Sequence, residues 1–298
     1  MRLINTITGL FEEFIGRNIP KYAILSHTWD EEEVSFKDMG DPFRNTRKGY
    51  RKIEMTCQIA RRAGLSYAWV DTCCIDKSSS AELTEAINSM YRWYLRSDIC
   101  YAFLADLPAS VSLDTVLSRC RWFTRGWTLQ ELIAPEDIYF FDQDWNNRGS
   151  KKDLVEHLSR ITGINASVLR HEQHLSSVAV AQKMSWAAYR ETTRIEDTAY
   201  CLLGLFNVNM PLLYGEEEKA FRRLQEEIIK STADLSIFAW RIPSAARNTK
   251  GPKARVFCGV LAETPLAFAG CASLAREPNP WLREFSVSNK GVKTQIQI

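Results

Sequence analysis

Tyr22-Ala-Ile-Leu-Ser-His-Thr-Trp29 is the stretch that decides how this chain folds. It opens on apolar residues, closes on polar ones, and lies between Pro20 and the acidic run Asp30, Glu31, Glu32, Glu33. A short apolar run bounded in this way is predicted to be a buried parallel strand. Downstream, residues 49–63 read as a helix: Tyr50, Ile53, Cys57 and Ala60 recur at helical spacing, and Gly64 supplies the stop. Residues 65–70 form a second strand that delivers Asp71-Thr-Cys-Cys-Ile-Asp-Lys77 as a loop. The next helix has apolar positions 83, 87, 90, 91 and 94, with Ser79 and Glu82 at capping-box spacing. Residues 99–104 give a third strand, 121–133 a short helix, and 138–141 a fourth strand. Strands alternating with helices predict an α/β fold, a parallel sheet with helices on both faces. Ligands of such sheets sit outside the C-terminal strand ends. That rule gathers Ser26, His27, Thr28, Trp29, the 71–77 segment and the approach to Glu131 on one side.

Beyond about residue 150 the pattern becomes mainly helical, over 153–161, 181–206 and 216–231. Phe221, Leu224, Ile228 and Ile229 share one side of the last helix and read as core or an intersubunit face. A short β-rich tail comes next, with strand-like runs at 256–261, 284–287 and 294–298, and residues 244–253 are the best linker candidate. The expected division is a core over 1–150, a helical extension over 151–243 and the tail over 254–298.

Composition excludes several classes. With 38 Lys and Arg against 36 Asp and Glu, the net charge of +2 offers no bulk attraction to nucleic acid. The basic positions Arg44, Arg47, Lys48, Arg51 and Lys52 read as solvated helix faces. The N-terminus, with Glu12 and Glu13, does not read as a signal peptide. The most apolar stretch, 199–214, is interrupted by Asn207, Asn209 and Pro211 and is too polar for a membrane span. The eight cysteines, at 57, 73, 74, 100, 120, 201, 258 and 271, contain no C-x-x-C and read as reduced thiols. The expectation is a cytoplasmic protein with no bound metal: His171 and His174 lack further ligands. A cysteine-hydrolase pairing of Cys73 or Cys74 with His27 rests on nothing but their common position at strand ends.

Three ordered blocks carry a family resemblance. Tyr22 to Trp29, Ala68-Trp-Val-Asp-Thr-Cys-Cys-Ile-Asp-Lys77 and Arg125-Gly-Trp-Thr-Leu-Gln-Glu-Leu132 resemble the signature blocks of fungal heterokaryon-incompatibility (HET) domains. Arg194-Ile-Glu-Asp-Thr-Ala-Tyr-Cys-Leu-Leu-Gly204, Met210-Pro-Leu-Leu-Tyr-Gly215 and Ala239-Trp240 resemble the region downstream of those blocks in many members. The resemblance covers roughly residues 1–241. It implies a cell-death effector in non-self recognition, and a receptor with nucleotide-binding and repeat domains as a partner. The chain has no P-loop, so it reads as the effector part or a standalone version. HET domains in turn look like relatives of TIR domains, which implies a TIR-like, flavodoxin-like sheet. Trp127-Thr-Leu-Gln-Glu-Leu132 is similar to the stretch that carries the glutamate of NAD-cleaving TIR domains.

That likeness makes Glu131 the candidate catalytic residue and NAD the substrate, with no separate cofactor. A carboxylate stabilises the oxocarbenium character that develops when the nicotinamide–ribose bond breaks. The competing reading of Glu131 is a capping box with Thr128. Substrate-binding candidates are Ser26 and His27 for ribose or phosphate, Trp29 and Trp127 for stacking, Asp71, Asp76 and Lys77 in the second-strand loop, and Arg125 for phosphate. TIR-type sites are completed between subunits, so self-association is expected. The alternative function is a non-enzymatic death-signalling scaffold that oligomerises and recruits a partner.

Overall fold

A computed structural model describes residues 1–16, 18–242, 259–276, 285–288 and 291–294. Along the chain it forms β1 (Arg2–Asn5), β2 (Phe11–Glu13), β3 (Tyr22–His27), α1 (Tyr50–Arg62), β4 (Tyr67–Trp69), α2 (Asp71–Cys74), α3 (Ser80–Leu95), β5 (Ile99–Phe103), α4 (Leu113–Val116), α5 (Thr128–Ile133), β6 (Ile138–Phe141) and β7 (Asn147–Ser150). The helices α6 (Val155–Thr162), α7 (Ala166–Leu169), α8 (Val180–Ser185), α9 (Asp197–Tyr200), α10 (Leu203–Phe206) and α11 (Lys219–Ser231) come next, then β8 (Phe285–Ser288) and β9 (Gly291–Thr294).

All six residues of β3 are buried, as its apolar run requires. It is the middle of a seven-stranded sheet of order β2-β1-β4-β3-β5-β6-β7. β3 pairs in parallel with β4 and β5, and β5 with β6. Numbered among themselves, these four strands run 2-1-3-4, so the order reverses between β3 and β5. Right-handed crossovers then put α1 on one face and α3 and α5 on the other. The expectation of a wholly parallel sheet needs correction. β1 runs antiparallel to β4, β2 to β1, and β7 to β6, which makes the sheet mixed. These three strands are three or four residues long, too short for β1 and β2 to show a strand pattern in sequence, and β7 is Asn-Arg-Gly-Ser, with no apolar side chain.

The helical part divides more finely than its sequence pattern. The span 181–206 is not one helix: it breaks into α8, α9 and α10 because residue 191 is drawn into a bridge with residue 125. Thr124 O accepts from Glu191 N at 2.6 Å, and Gly126 N donates to Glu191 O at 2.8 Å. A Cβ on Gly126 would lie 2.5 Å from Thr192 Cγ2, so only glycine admits this approach. α3 takes the other main contact: Asn88 donates to Met210 O at 3.3 Å and accepts from Met210 N at 3.2 Å. One buried apolar cluster accordingly runs from Leu3 to Cys271.

The 71–77 loop begins with one helical turn, α2. In the tail, β8 and β9 form an antiparallel pair. Residues 259–261 are not strand, against the expectation for 256–261. The linker at 244–253, Cys258, residue 284 and residues 295–298 of the expected last strand lie outside the described residues. Among the described residues no helix is long and apolar enough to cross a membrane.

Candidate functional site

Ser26 and His27 are consecutive on β3, so their side chains leave opposite faces of the sheet. This parity divides the candidate residues into two groups that meet at the end of the strand.

On the α5 side, the Trp122 indole N–H donates to Ser26 Oγ at 2.8 Å, and the Ser26 hydroxyl donates to Glu131 Oε2 at 2.5 Å. The Tyr94 hydroxyl, from α3, lies near the same carboxyl and donates to the Leu25 carbonyl at 2.9 Å. Glu131 is only 7% exposed. Burial pushes its carboxyl up from 4.5 to about 8; bonds from Ser26 and Tyr94 and the charge of Arg190 oppose the rise, and the charge of Asp71 adds to it. At neutral pH the group is therefore a carboxylic acid. A protonated Glu131 accepts from Ser26 through its carbonyl oxygen. The capping-box alternative is not what forms, since α5 has no side-chain cap and Glu131 reaches β3. Thr128 instead accepts from half-buried Arg190 at 3.0 Å, and Arg190 also donates to the Arg125 carbonyl at 2.8 Å.

On the α1 side, His27 Nε2 is 3.1 Å from Asp71 Oδ1, and the Trp29 indole N–H donates to Asp71 Oδ2 at 2.8 Å. Burial opposes ionisation of Asp71, but the bond and charge of His27, the charge of Lys77 and the Trp29 bond hold its carboxyl below the usual range. The Lys77 ammonium sits 3.5 Å from the centroid of the Trp29 ring, which is half exposed. Behind His27, Lys52 lies 3.4 Å from Nδ1 and donates to the Thr28 carbonyl at 3.1 Å, to Asp30 at 3.0 Å and to Glu33. Arg121 closes the rim through Thr28 Oγ1 at 3.0 Å and Asp30.

Ser26 and Glu131 are thus in direct contact, as are His27, Trp29, Asp71 and Lys77. The bonds of the remaining candidates run elsewhere. Asp76 caps its own turn by accepting from Ser78 N at 3.0 Å and Ser78 Oγ at 2.6 Å. Arg125 donates to Thr193 Oγ1 at 2.8 Å. Trp127 donates to Asp197 at 3.3 Å, where Tyr214 also donates at 3.0 Å, a separate polar group built from the extension. Cys73 and Cys74 turn their sulfurs to the Val70 backbone, and burial pushes the Cys73 thiol up, so neither thiol pairs with His27.

Sequence reasoning did not single out Trp122, Tyr94, Glu33, Arg121 or Arg190. Its reading of Lys52 as solvated is wrong, because the side chain is buried among its partners. The signal was present: Lys52 falls on the same stripe of α1 as the buried Ile53, Thr56, Cys57 and Ala60.

Residues 22–115 match the family model described as heterokaryon incompatibility protein (HET), and residues 219–264 match a domain of unknown function, DUF8212. The chain is 47% identical over 228 residues to vegetative incompatibility protein HET-E-1 of Podospora anserina, a match that takes in 73% of this chain. The chain spans only 17% of that relative's length. No solved structure matches the chain.

Proposed function

The chain is a heterokaryon-incompatibility (HET) domain protein, and from that premise we propose that it is the effector part of a fungal incompatibility and cell-death response, whose chemistry is hydrolysis of NAD to nicotinamide and ADP-ribose. Its setting would be the cytoplasm, as self-associated units under a receptor with nucleotide-binding and repeat domains. The name of the Podospora relative supports the first part. The observation that carries the second is the buried Ser26–Glu131 pair at the reversal point of the parallel strands, with a carboxyl pushed up to about 8. The strand order 2-1-3-4 is how a flavodoxin-like sheet, and hence a TIR-like one, begins.

Nicotinamide in NAD is a pyridinium, and a cation beside Glu131 favours the carboxylate, so the substrate itself ionises the acid. Trp29, whose ring has the Lys77 ammonium 3.5 Å from its centroid, is the stacking candidate at the strand end where the two groups of residues meet. The bond from ribose C1′ to the ring nitrogen breaks, and its electron pair discharges the pyridinium. The Glu131 carboxylate stabilises the oxocarbenium left on the sugar. Water adds to C1′ and gives its proton to Glu131.

The test is NAD consumption by the purified chain at high protein concentration, beside Glu131→Gln checked for folding by circular dichroism. Wild type consumes NAD and the folded variant does not. For the free enzyme, kcat/KM rises with pH toward a plateau, with an apparent pKa of about 8. If the wild-type chain is demonstrably oligomeric and consumes no NAD, hydrolysis is wrong. The scaffold reading then stands, and one observation favours it already: Glu131 is buried and bonded to Ser26, which Trp122 bonds in turn, as a structural group would be.

A further inference from the structure

The molecule holds a cavity that the Glu131 chemistry does not use. It measures about 770 Å³ and lies between the C-terminal end of α3, the 171–178 segment, α8, α10 and the end of α11. That volume is the size of a small-ligand pocket.

Its charge is one-sided. Arg92, Arg96, Lys183 and Arg276 line it, together with His171 and His174, and the one acidic residue in its wall is Asp234. The Asp234 carboxylate is committed to the backbone, accepting from Val180 N at 2.8 Å and Ser236 N at 2.9 Å. The hydrogen bonds of the cations go to neutral oxygens: Arg92 to the Ser89 hydroxyl at 3.1 Å, and Arg276 to the Ser176 carbonyl at 2.5 Å.

Lys183 is the decisive residue. It is 6% exposed, and among the described residues its ammonium has the Leu205 carbonyl at 3.4 Å, the Phe206 ring at 4.6 Å and the more distant charge of Asp234, with no ion pair. An ammonium has three protons to donate, and burying one short of acceptors is costly. Burial accordingly pulls it down to about 8. A phosphate group, with three oxygens and its negative charge, supplies what Lys183 lacks. The rest of the wall is mixed: Leu95, Ile133, Val178 and Phe206 give it an apolar part that suits an aromatic or apolar group beside the phosphate, and Gln173, Asn207, Ser231 and Thr232 give it a polar part.

We propose that this cavity is a binding site for a small soluble phosphorylated molecule of about nucleotide size, held by Lys183 at depth and by Arg96 and Arg276 at the rim. The site goes beyond the proposed NAD chemistry and stands without it. It adjoins that chemistry through one element, since Ile133 in its wall is two residues from Glu131 on α5.

The test titrates inorganic pyrophosphate and ADP into the full chain by calorimetry and thermal unfolding, at fixed ionic strength. Wild type binds, and its Tm rises with probe concentration. Lys183→Met keeps the length of the side chain without the charge, and Arg276→Gln changes an exposed residue. Each weakens binding at least tenfold, while Glu131→Gln binds as wild type does, which separates this site from the NAD reading. Three results overturn the proposal: no binding to wild type at millimolar probe; equal binding by Lys183→Met and Arg276→Gln; or binding only to vesicles containing phosphatidylinositol phosphates, with both soluble probes inert, which would make the face a lipid contact.

Discussion

The protonation of Glu131 makes a prediction that requires no substrate. Replacing Glu131 by glutamine preserves the shape of the neutral acid: the amide oxygen accepts from Ser26. What the substitution removes is the titration. The folded carboxyl sits at about 8 and the unfolded one near 4.5. The folded state therefore binds more protons than the unfolded state across that window, and stability falls as pH rises. The contribution is fully present below about 4.5 and is lost as pH climbs through about 8. At about 1.4 kcal/mol per pH unit, the whole span corresponds to on the order of 5 kcal/mol. Urea unfolding of wild type and Glu131→Gln at pH 5.5, 7.0 and 8.5 isolates this effect, because every other group titrates alike in both. The variant should gain on wild type by about 1.4 kcal/mol for each pH unit between the first two conditions, then level off above 8. A difference that stays flat from pH 5.5 to 8.5 would falsify the reasoning, since Glu131 would then ionise as an exposed glutamate does.

Other expectations rest on packing. Gly204→Ala puts a Cβ 2.0 Å from Tyr91 Cβ, where α10 meets α3, and should cost about 1–3 kcal/mol or more in chemical denaturation. Asn88→Ala removes both bonds to Met210, in a segment more than a hundred residues away in sequence, and should cost about 1–3 kcal/mol. Lys52→Met leaves Glu33 and Asp30 without their shared cation behind His27 and should cost about 3–5 kcal/mol, whereas Lys48→Met, at an exposed position on the same basic run, should change stability by under about 0.5 kcal/mol.

The parallel strands were legible because each is a short apolar run between a helix stop and a polar loop. β3 and β6 coincide with their sequence patterns to within a residue or two. The antiparallel strands were not, because β7 is polar throughout and is defined by its backbone bonds to β6 rather than by which side chains it buries. Glu131 could be picked out from its motif, but the local rule for T-x-x-E read it as a cap. Its true partner, Ser26, is 105 residues away, and only the strand order brings the two together. Trp122 and Tyr94 were indistinguishable from core aromatics, since nothing in the sequence shows that Trp122 bonds Ser26 and that Tyr94 bonds the Leu25 carbonyl beside it. Lys52 was hidden differently: charge suggested solvent, and its place on the apolar stripe of α1 was the better guide.

The bridge between 124–126 and 191 has a consequence for heredity. The two segments are joined by backbone bonds across a glycine that leaves no room for a side chain, and by Arg125 and Arg190 on either side of it. A genetic crossover near codon 150 would join one parent's 124–128 to another parent's 189–201, and the offspring protein would position Glu131 as here only if the first parent had kept glycine at 126 and the second compatible neighbours at 192 and 201. The stretch from β3 to α9 is therefore a single unit of inheritance, although the polypeptide looks, on its sequence, as though it could be cut in the middle.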